Sequence, residues 1–288
     1  MTLVVARKID DTLVIVSDSK VTDDAMLHPS LLNGALKTIV VSSTLCVSFA
    51  GNVPLATEAL AEVITGSIRD RDDLIVHLLK CHRQCSGACD FLIACHKPPI
   101  LLARVTEGRC ETDLQTTWIG DHTAFEAYQE KLATDPFAQS TARYAGSDEM
   151  AVASRMQGAL SAVIADGLHP SVGNFVITAR SGTLANSGFR YDRRAFGSGF
   201  HPVASTTEPT SLMRSVGVEG GSFHYSVLTP TARGIGAIAV HIVEPRLGVL
   251  LHPKGSWEPR IWRDVNTVDL INNVAEQFGL AVDGFRYG

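Results

Sequence analysis

Several features that would assign this chain to a specialised class are missing from its sequence. None of its apolar runs approaches the roughly 18 residues needed to cross a membrane, and aromatic residues make up only 7% of its 288 residues. The formal net charge is -5, so there is no basic excess of the kind that binds nucleic acid or an anionic membrane. Asp10 and Asp11 interrupt the region where a signal peptide would be basic and then apolar. The sequence therefore predicts a cytoplasmic protein that binds neither nucleic acid nor membrane.

The composition that is present belongs to a folded protein with a substantial core. Apolar residues make up 45% of the chain and charged residues 19%, which suits one large domain or two ordinary ones.

Six cysteines in a chain expected to be cytoplasmic are interpreted as thiols. Cys81, Cys85 and Cys89 recur every fourth residue, but Ser86-Gly87 should end the helix before Cys89, so buried thiols are favoured over a metal site. The glycine-rich segments lack the lysine of a phosphate-binding loop, and no cofactor or metal is predicted.

Apolar patterns alternate between strand and helix along the first two thirds of the chain. Residues 3–50 predict two β-hairpins, and two helices follow, one from Leu55 and one over 72–84. The pattern continues with strands over 90–105, helices near 122–132 and 148–165, and a hairpin around Ser181-Gly182. This order predicts an α+β protein in which two sheets are faced by helical layers.

The last hundred residues show weaker periodicity. Residues 190–222 are rich in Gly, Ser, Thr, Pro and Arg and are predicted to be mostly loop. Three short strands, FHYSVLT, GAIAVHIV and LGVLLHP, come next, followed by an amphipathic helix at about 266–278. The chain is therefore divided into a domain of residues 1–189 and an extension of residues 190–288, with the alternative that the second part completes the same domain.

Thr2 stands directly before the first predicted strand, and its hydroxyl is a candidate nucleophile. A threonine hydroxyl reacts weakly until a base removes its proton, and the α-amine of a terminal threonine can be that base once Met1 is removed. Such a site also needs a cation that keeps the amine neutral and a carboxylate that orients the cation. Lys37 and Asp18 are candidates because each lies on a strand that can neighbour the first one. A simple turn at the end of a strand is the alternative explanation of Asp18-Ser19.

The stretch SDSKVTD, followed by LKTIVVSSTLCVSFAGN, resembles the proteasome β-subunit family, which includes HslV and the bacterial Anbu-type homologues. The resemblance runs from Thr2 to Thr22 without a gap, covers residues 2–66 well and extends more loosely to about 185. It implies an αββα four-layer sandwich of the N-terminal-nucleophile hydrolase type, here with a C-terminal extension.

The resemblance also implies catalytic roles for individual residues. Thr2 would be the nucleophile, with its own amine as the general base. Lys37 would lower the pKa of that amine and of the hydroxyl by its charge, and Asp18 would pair with Lys37 and fix its position. The backbone N–H of Gly51 would donate to the oxyanion of the tetrahedral intermediate. The implied reaction is attack on an amide, formation of an acyl-enzyme ester and hydrolysis by water.

Substrate binding is implied at four further positions. Thr22 would hold the main chain of the substrate in an extended conformation. Phe49 falls where the family floors its first specificity pocket, which suggests a preference for apolar side chains, and Ala35 and Val53 would line the same pocket.

The second half of the implied site departs from the family pattern. The Gly-Ser-Gly element of the family appears as Gly120-Asp121-His122, whereas a true Gly-Ser-Gly occurs at Gly197-Ser198-Gly199. The later Asp and Ser of the family have candidates in Asp166 and Ser171, although their spacing is wider than expected. In an alternative register, the strands around 234–253 form the last strand pair of the domain and 170–225 is an insertion. The first register is preferred, and it leaves open which residues complete the site.

The sequence therefore favours a threonine-type amide hydrolase, most simply a proteasome-like peptidase. The resemblance implies a peptide or protein substrate, assembly into a homo-oligomeric ring or related particle, and an unfoldase as a further partner. Two alternatives stay open. One is an N-terminal-nucleophile amidohydrolase that acts on a small amide, and the other is an inactive proteasome-like scaffold in which Thr2 keeps its methionine.

Overall fold

The computed structural model describes residues 2–21, 34–68, 70–134, 148–182, 188–201, 221–243, 245–253 and 258–284. Within these ranges the chain is a mixed α+β protein with three antiparallel sheets and five helices. The strands are β1 Leu3–Ile9, β2 Thr12–Ser17, β3 Thr38–Val40, β4 Leu45–Gly51, β5 Cys89–Cys95, β6 Leu101–Thr106, β7 Arg109–Glu111, β8 Thr116–Gly120, β9 Ile177–Arg180, β10 Arg190–Tyr191, β11 Arg194–His201, β12 Gly221–Pro230, β13 Ile238–Ile242, β14 Leu247–Leu251, β15 Arg260–Trp262 and β16 Val282–Asp283. The helices are α1 Val53–Ile64, α2 Arg71–Gln84, α3 His122–Thr134, α4 Asp148–Asp166 and α5 Thr267–Phe278.

The first sheet has the strand order β10-β9-β2-β1-β8 and is apolar on both faces. The hairpin of β1 and β2 turns at Asp10, which has a φ of 46°. Because side chains alternate along a strand, Val4 and Ile15 point to one face while Val5 and Val14 point to the other. Both sets are buried, so this sheet must be covered on each side.

The second sheet, β3-β4-β5-β6-β7, covers one of these faces. The largest apolar cluster contains Val4 and Ile15 of the first sheet together with Val47 and Ile93 of the second, and it extends to residues of α1 and α2. Both helices begin at side-chain caps: Asn52 accepts a hydrogen bond from Leu55 N, and Asp70 accepts from the N–H groups of Asp72 and Asp73.

Helices α3 and α4 cover the other face of the first sheet. Their buried residues, which include Tyr128, Met156 and Leu160, pack against Val5 and Val14. This apolar cluster is separate from the largest one, so the first sheet is buried between a helical layer and the second sheet.

The third sheet has the order β11-β12-β13-β14-β15, with β16 paired to β12. Tyr225 and Val240 from this sheet belong to the largest apolar cluster, whereas Leu250 packs with Leu270 and Val274 of α5. Helix α5 begins with a capping box and ends at Gly279 in the left-handed conformation. The C-terminal part of the chain therefore shares the main core and also has a small core of its own.

Most of the strands and helices predicted from the sequence are confirmed, but the loop predicted for 190–222 is wrong in its described part. Residues 190–191 and 194–201 are strands, and β12 begins at Gly221. The Gly-Ser-Gly stretch of β11 has no alternation of apolar side chains, and its pairing with β12 is long-range, so local patterns give no sign of it. No helix among the described residues is long and apolar enough to cross a membrane.

The strand pairing also bears on the two registers considered for the end of the first domain. Strand β9 pairs with β2 in the first sheet, and the hairpin of β13 and β14 lies in the third sheet. These pairings do not decide which residues complete the site, so the choice between the two registers stays a prediction. The division at residue 189 itself stays a prediction.

Candidate active site

Thr2 is fixed in place by its main chain. It lies directly before β1, is only 2% exposed, and its carbonyl oxygen accepts a hydrogen bond from Asp121 N at 2.7 Å. Gly120 pairs with Leu3 and has a φ of 108°. A methyl group at Gly120 would lie 1.9 Å from the Thr2 carbonyl oxygen, so glycine is what allows β8 to come this close. The backbone contact with β8 therefore holds residue 2 in addition to its side-chain contacts.

The Thr2 hydroxyl lies between a buried carboxylate and a buried ammonium group. Thr2 Oγ1 donates a hydrogen bond to Asp18 Oδ1 and accepts one from Lys37 Nζ. Lys37 Nζ lies 3.2 Å from Asp18 Oδ1 and 3.1 Å from Asp18 Oδ2, and it also donates to the backbone carbonyl of Lys20. Asp18 is fully buried and Lys37 is 2% exposed. Hydroxyl, carboxylate and ammonium thus form one closed cluster shielded from bulk water.

The two sheets bring these side chains together. Asp18 directly follows β2, and its N–H donates to Leu3 O at 3.2 Å, which places it at the start of β1. Lys37 directly precedes β3 in the second sheet. Between the sheets, Thr38 Oγ1 donates to Ser17 Oγ at 3.0 Å. The residues next to Asp18 and Lys37 in the chain are therefore themselves hydrogen-bonded across the core.

Backbone N–H groups orient the Asp18 carboxylate. Leu3 N donates to Oδ1 at 3.0 Å, while Lys20 N and Gly173 N donate to Oδ2 at 3.1 and 3.2 Å. These donors come from β1, from the segment after β2 and from the segment after α4. With the Lys37 ion pair, they give both carboxylate oxygens several partners, as a buried charge requires.

Burial lowers the pKa of Lys37 below its ordinary value, and the charge of Asp18 opposes this effect without cancelling it. Lys20 adds a smaller lowering through like-charge repulsion. While it is charged, the Lys37 ammonium group stabilises negative charge that develops on the Thr2 oxygen to which it donates. The cluster can therefore activate the Thr2 hydroxyl.

Lys20 is a second buried lysine at this site, and sequence reasoning did not assign it a role. It is 6% exposed, and its Nζ donates to Pro170 O at 2.6 Å. Burial lowers its pKa, again opposed by Asp18. A methyl group at Gly173 would lie 2.8 Å from Lys20 Cδ, so the chain after α4 packs directly on the Lys20 stem. Lys20 lies in the segment after β2, and a single lysine there gives no local sign of a contact with residues 150 positions later in the chain.

Asp121 forms a second cluster next to Thr2. Its Oδ1 accepts from Thr123 N at 2.9 Å and from Ala124 N at 3.1 Å, so it caps the start of α3. Its Oδ2 accepts from Ser171 Oγ. Burial acts to raise the pKa of Asp121, but the hydrogen bonds from Ser171, Thr123 and Ala124 outweigh it and the pKa is lowered. Asp121 and Ser171 are thus paired, and the backbone N–H of Asp121 holds Thr2.

Four other predicted residues lie around the second sheet. Gly51 ends β4 with a φ of 105°, where a methyl group would lie 2.1 Å from Ala88 O. Phe49 is fully buried and its N–H donates to Lys37 O at 3.0 Å. Ala35 is buried, and Val53 is the half-buried first residue of α1. The main chains of Phe49 and Lys37 are therefore hydrogen-bonded to each other.

Three predicted positions lie apart from this cluster or outside the described side chains. Asp166 ends α4, and its Oδ2 lies 2.7 Å from Lys131 Nζ on α3, an ion pair that spans two helices. Thr22 lies outside the described residues. The Gly197-Ser198-Gly199 element forms part of β11, but the Ser198 side chain is outside the described part of the structure.

The cysteines form no disulfide, and no group of residues that could hold a metal occurs in the described ranges. Burial raises the pKa of Cys89 to about 12, and its Sγ donates to Asn52 O at 3.1 Å. His82 bridges Cys89 O at 2.6 Å and Gly108 N at 2.8 Å. Since Gly108 N donates to Nε2, the proton of the ring lies on Nδ1. His82 therefore links the end of α2 to the start of β5 and to the turn between β6 and β7.

Comparisons with known proteins give a distant likeness in fold. No family model matches the sequence, and no curated protein matches it. Among solved structures, the chain is similar to eukaryotic HslV from Trypanosoma brucei, with 14% sequence identity and a TM-score of 0.42 over 62% of this chain and 98% of that one. The chemistry of the site therefore has to be judged from its own residues.

Proposed function

We propose that this protein is an amide hydrolase of the N-terminal-nucleophile type and that Thr2 is its nucleophile. The observation that carries this proposal is the position of Thr2 Oγ1 between the buried Asp18 carboxylate and the buried Lys37 ammonium group. An αββα interpretation is supported by the packing of the first sheet between α3 and α4 on one side and the second sheet on the other.

In the proposed reaction, Thr2 Oγ attacks the carbonyl carbon of an amide. Its proton passes to the α-amine of Thr2 and on to the leaving amine, while the carbon–nitrogen bond breaks and an ester forms on Thr2. Water then hydrolyses the ester and restores the hydroxyl. Lys37 favours the alkoxide by its charge, and Asp18 holds Lys37. The Gly51 N–H is the proposed donor to the oxyanion.

The chemistry depends on removal of Met1. While Met1 is attached, the nitrogen of Thr2 is part of a peptide bond and has no basic lone pair, so it cannot accept the proton. Intact mass and N-terminal sequencing of the purified protein, before and after treatment with a β-lactone or a peptide epoxyketone, test this directly. We expect loss of Met1 and one stoichiometric adduct on Thr2.

Two substitutions at the same position sharpen this test. Thr2→Ala should abolish the adduct and lower hydrolysis by about 10³-fold or more, whereas Thr2→Ser keeps a hydroxyl and should keep measurable activity. Thr65→Ala, which removes an exposed hydroxyl at the end of α1, is the control and should behave like the parent. Undiminished turnover in the Thr2→Ala protein would exclude the mechanism.

The substrate class is the finer part of the proposal. A peptidase should cleave extended peptides, and the family resemblance at Phe49 implies an apolar residue before the scissile bond. A small-amide hydrolase should ignore such peptides, and an inactive scaffold should retain Met1 and form no adduct. Size-exclusion chromatography with light scattering tests the proposed homo-oligomer, and stimulation of cleavage by a nucleotide-driven unfoldase tests the further partner.

A further inference from the structure

Asp121 lies beside the main chain of Thr2 and places a half-buried carboxylate there. Leu3 pairs with Gly120, so Thr2 and Asp121 are the next residues on two neighbouring antiparallel strands. Asp121 N donates to Thr2 O at 2.7 Å, and the nitrogen of Thr2 is three covalent bonds from that oxygen. Removal of Met1 would therefore create an α-amine within range of the Asp121 charge, which a half-buried position screens less than an exposed one.

The Asp121 carboxylate is held in place by hydrogen bonds to both of its oxygens. Oδ1 accepts from Thr123 N at 2.9 Å, and Oδ2 accepts from Ser171 Oγ. Burial opposes ionisation, but these hydrogen bonds outweigh it and lower the pKa of Asp121. Two histidines are near: His169 Nδ1 lies 3.5 Å from Thr123 Oγ1, and His122 is exposed. Asp121 thus carries a fixed negative charge at neutral pH.

The other charged side chains around the start of β1 are Asp18, Lys37 and Lys20. Asp18 is fully buried and pairs with Lys37 at 3.1 Å, so the charge of one offsets that of the other. The ammonium group of Lys20 donates to a backbone carbonyl of the segment after α4. Without Asp121, two ammonium groups would face one carboxylate, and a further positive charge on the α-amine would be repelled.

We propose that the Asp121 carboxylate stabilises the protonated α-amine of Thr2 and so keeps this amine basic enough to take the proton of the hydroxyl. The inference rests on the proposed function, because it needs a Thr2 amine that acts as the general base. A nearby carboxylate raises the pKa of an amine, whereas nearby ammonium groups lower it. Because Asp121 acts through the amine, it is a positioning residue.

Two linked changes are expected when the charge of Asp121 is removed. In Asp121→Asn the amine loses its proton at lower pH, so the acid limb of kcat/KM should move down by about 0.5 to 1 pH unit. The neutral amine is then a weaker base, so the rate at the optimum should fall about two- to fivefold. Asp121→Ser should give both changes as well. A purely structural role would lower the rate without moving the limb and would overturn the proposal.

The variants are chosen so that the start of α3 is kept. Asparagine and serine are preferred N-cap residues, as aspartate is, so the lost charge is the main change. Asp70→Asn is the matched control, because Asp70 caps α2 through the N–H groups of Asp72 and Asp73 and takes no part in the cluster around Thr2. It should leave both the rate and the acid limb unchanged. Thermal unfolding of each variant shows whether it is folded.

A direct titration of the amine separates this inference from the proposed function. The full chain is labelled with ¹³C-threonine, prepared with Thr2 as its verified first residue, and the Thr2 signals are identified by their loss in Thr2→Ser. Their pH dependence in NMR spectra gives the midpoint of the amine without turnover.

A midpoint that is lower by about 0.5 to 1 pH unit in Asp121→Asn supports the inference. An unchanged midpoint, or the same shift in Asp70→Asn, would overturn it even if the protein hydrolyses amides through Thr2. A lowered midpoint in a protein that hydrolyses no amide would support the effect of Asp121 on the amine and would count against the proposed function.

Discussion

At the scale of single residues, the site is defined by three polar side chains whose charges and hydrogen bonds depend on one another. Lys37 donates to Thr2, to Asp18 and to Lys20 O. Removing any one member therefore takes a hydrogen-bond partner from the other two buried groups, which costs more than the same loss at an exposed site.

Lys37 should set the alkaline limit of activity. In the proposed mechanism the charged form of Lys37 is required, and burial lowers its pKa. The rate should therefore fall as pH rises through this lowered pKa, at a pH below the ordinary value of 10.5 for lysine. The free energy of unfolding should instead rise with pH between the lowered pKa and the ordinary one. In that range the unfolded chain binds the proton and the folded chain does not, so raising the pH favours the folded chain.

The measurement is the pH profile of kcat/KM together with thermal unfolding over the same pH range. Lys37→Met should lower kcat/KM by about 10²–10⁴-fold, and Lys80→Met, at an exposed position of α2, should leave it unchanged. An unaltered rate in Lys37→Met, or an alkaline limb at the ordinary pKa of lysine, would contradict the assignment.

Lys20 should act as a positioning residue. Its ammonium group ties the backbone at Pro170 to the site, and Ser171 and Gly173 follow directly. Lys20→Met should lower kcat by about 10-fold, because the segment that donates to Asp18 and Asp121 loses its anchor. Lys20→Arg, which keeps a cation, should recover part of the loss. A purely structural role would instead lower the melting temperature of both variants equally without separating their rates.

At the scale of secondary structure, the close approach of β8 to the start of β1 matters most. Gly120→Ala would place a methyl group 1.9 Å from Thr2 O at a φ of 108°, and we expect a loss of about 2–4 kcal/mol in the free energy of unfolding. Gly108→Ala is the matched control, since Gly108 also has a positive φ, of 73°, but has no atom within 4 Å of the added methyl group. Chemical denaturation should separate the two, and equal losses would show that backbone strain alone is responsible.

The strands and helices were predictable where a local pattern determines them. The alternating apolar residues of β1 and β2 and the capped start of α1 have such patterns. The position of Asp18 after β2 follows from the hairpin. The contact of Lys37 with Thr2 joins two sheets, so the strand pattern made Lys37 only a candidate, and its role came from the family resemblance. The pairing of Asp121 with Ser171, 50 residues apart, joins the start of α3 to a loop and has no local signal.

At the scale of the whole molecule, the C-terminal third is bound to the rest by polar contacts as well as by apolar packing. Tyr225 OH accepts from Val176 N at 2.7 Å, and Tyr191 OH accepts from Val40 N and donates to Thr38 O, both at 2.9 Å. Both tyrosines are also in the largest apolar cluster.

A fragment of residues 1–189 should therefore fail to fold. Removing the third sheet would expose apolar side chains of the main core, such as Phe175, which stacks edge-on against Tyr225 with ring centroids 5.1 Å apart. Loss of the cooperative unfolding transition and aggregation of the fragment, measured against the full chain, are expected. A soluble fragment with a sharp transition would show instead that residues 1–189 are an independent domain.

The attachment of Thr2 to β8 has a practical consequence for anyone who wishes to control this protein. The backbone contact that places residue 2 uses its carbonyl oxygen, not its nitrogen, so a peptide leader fused before Thr2 keeps that contact while it caps the amine. In the proposed mechanism, a leader that ends in a recognition sequence for a site-specific protease would therefore block the general base until it is removed. Adding the protease would start hydrolysis at a chosen moment, and an affinity tag placed at this end would have to be cleaved just before Thr2.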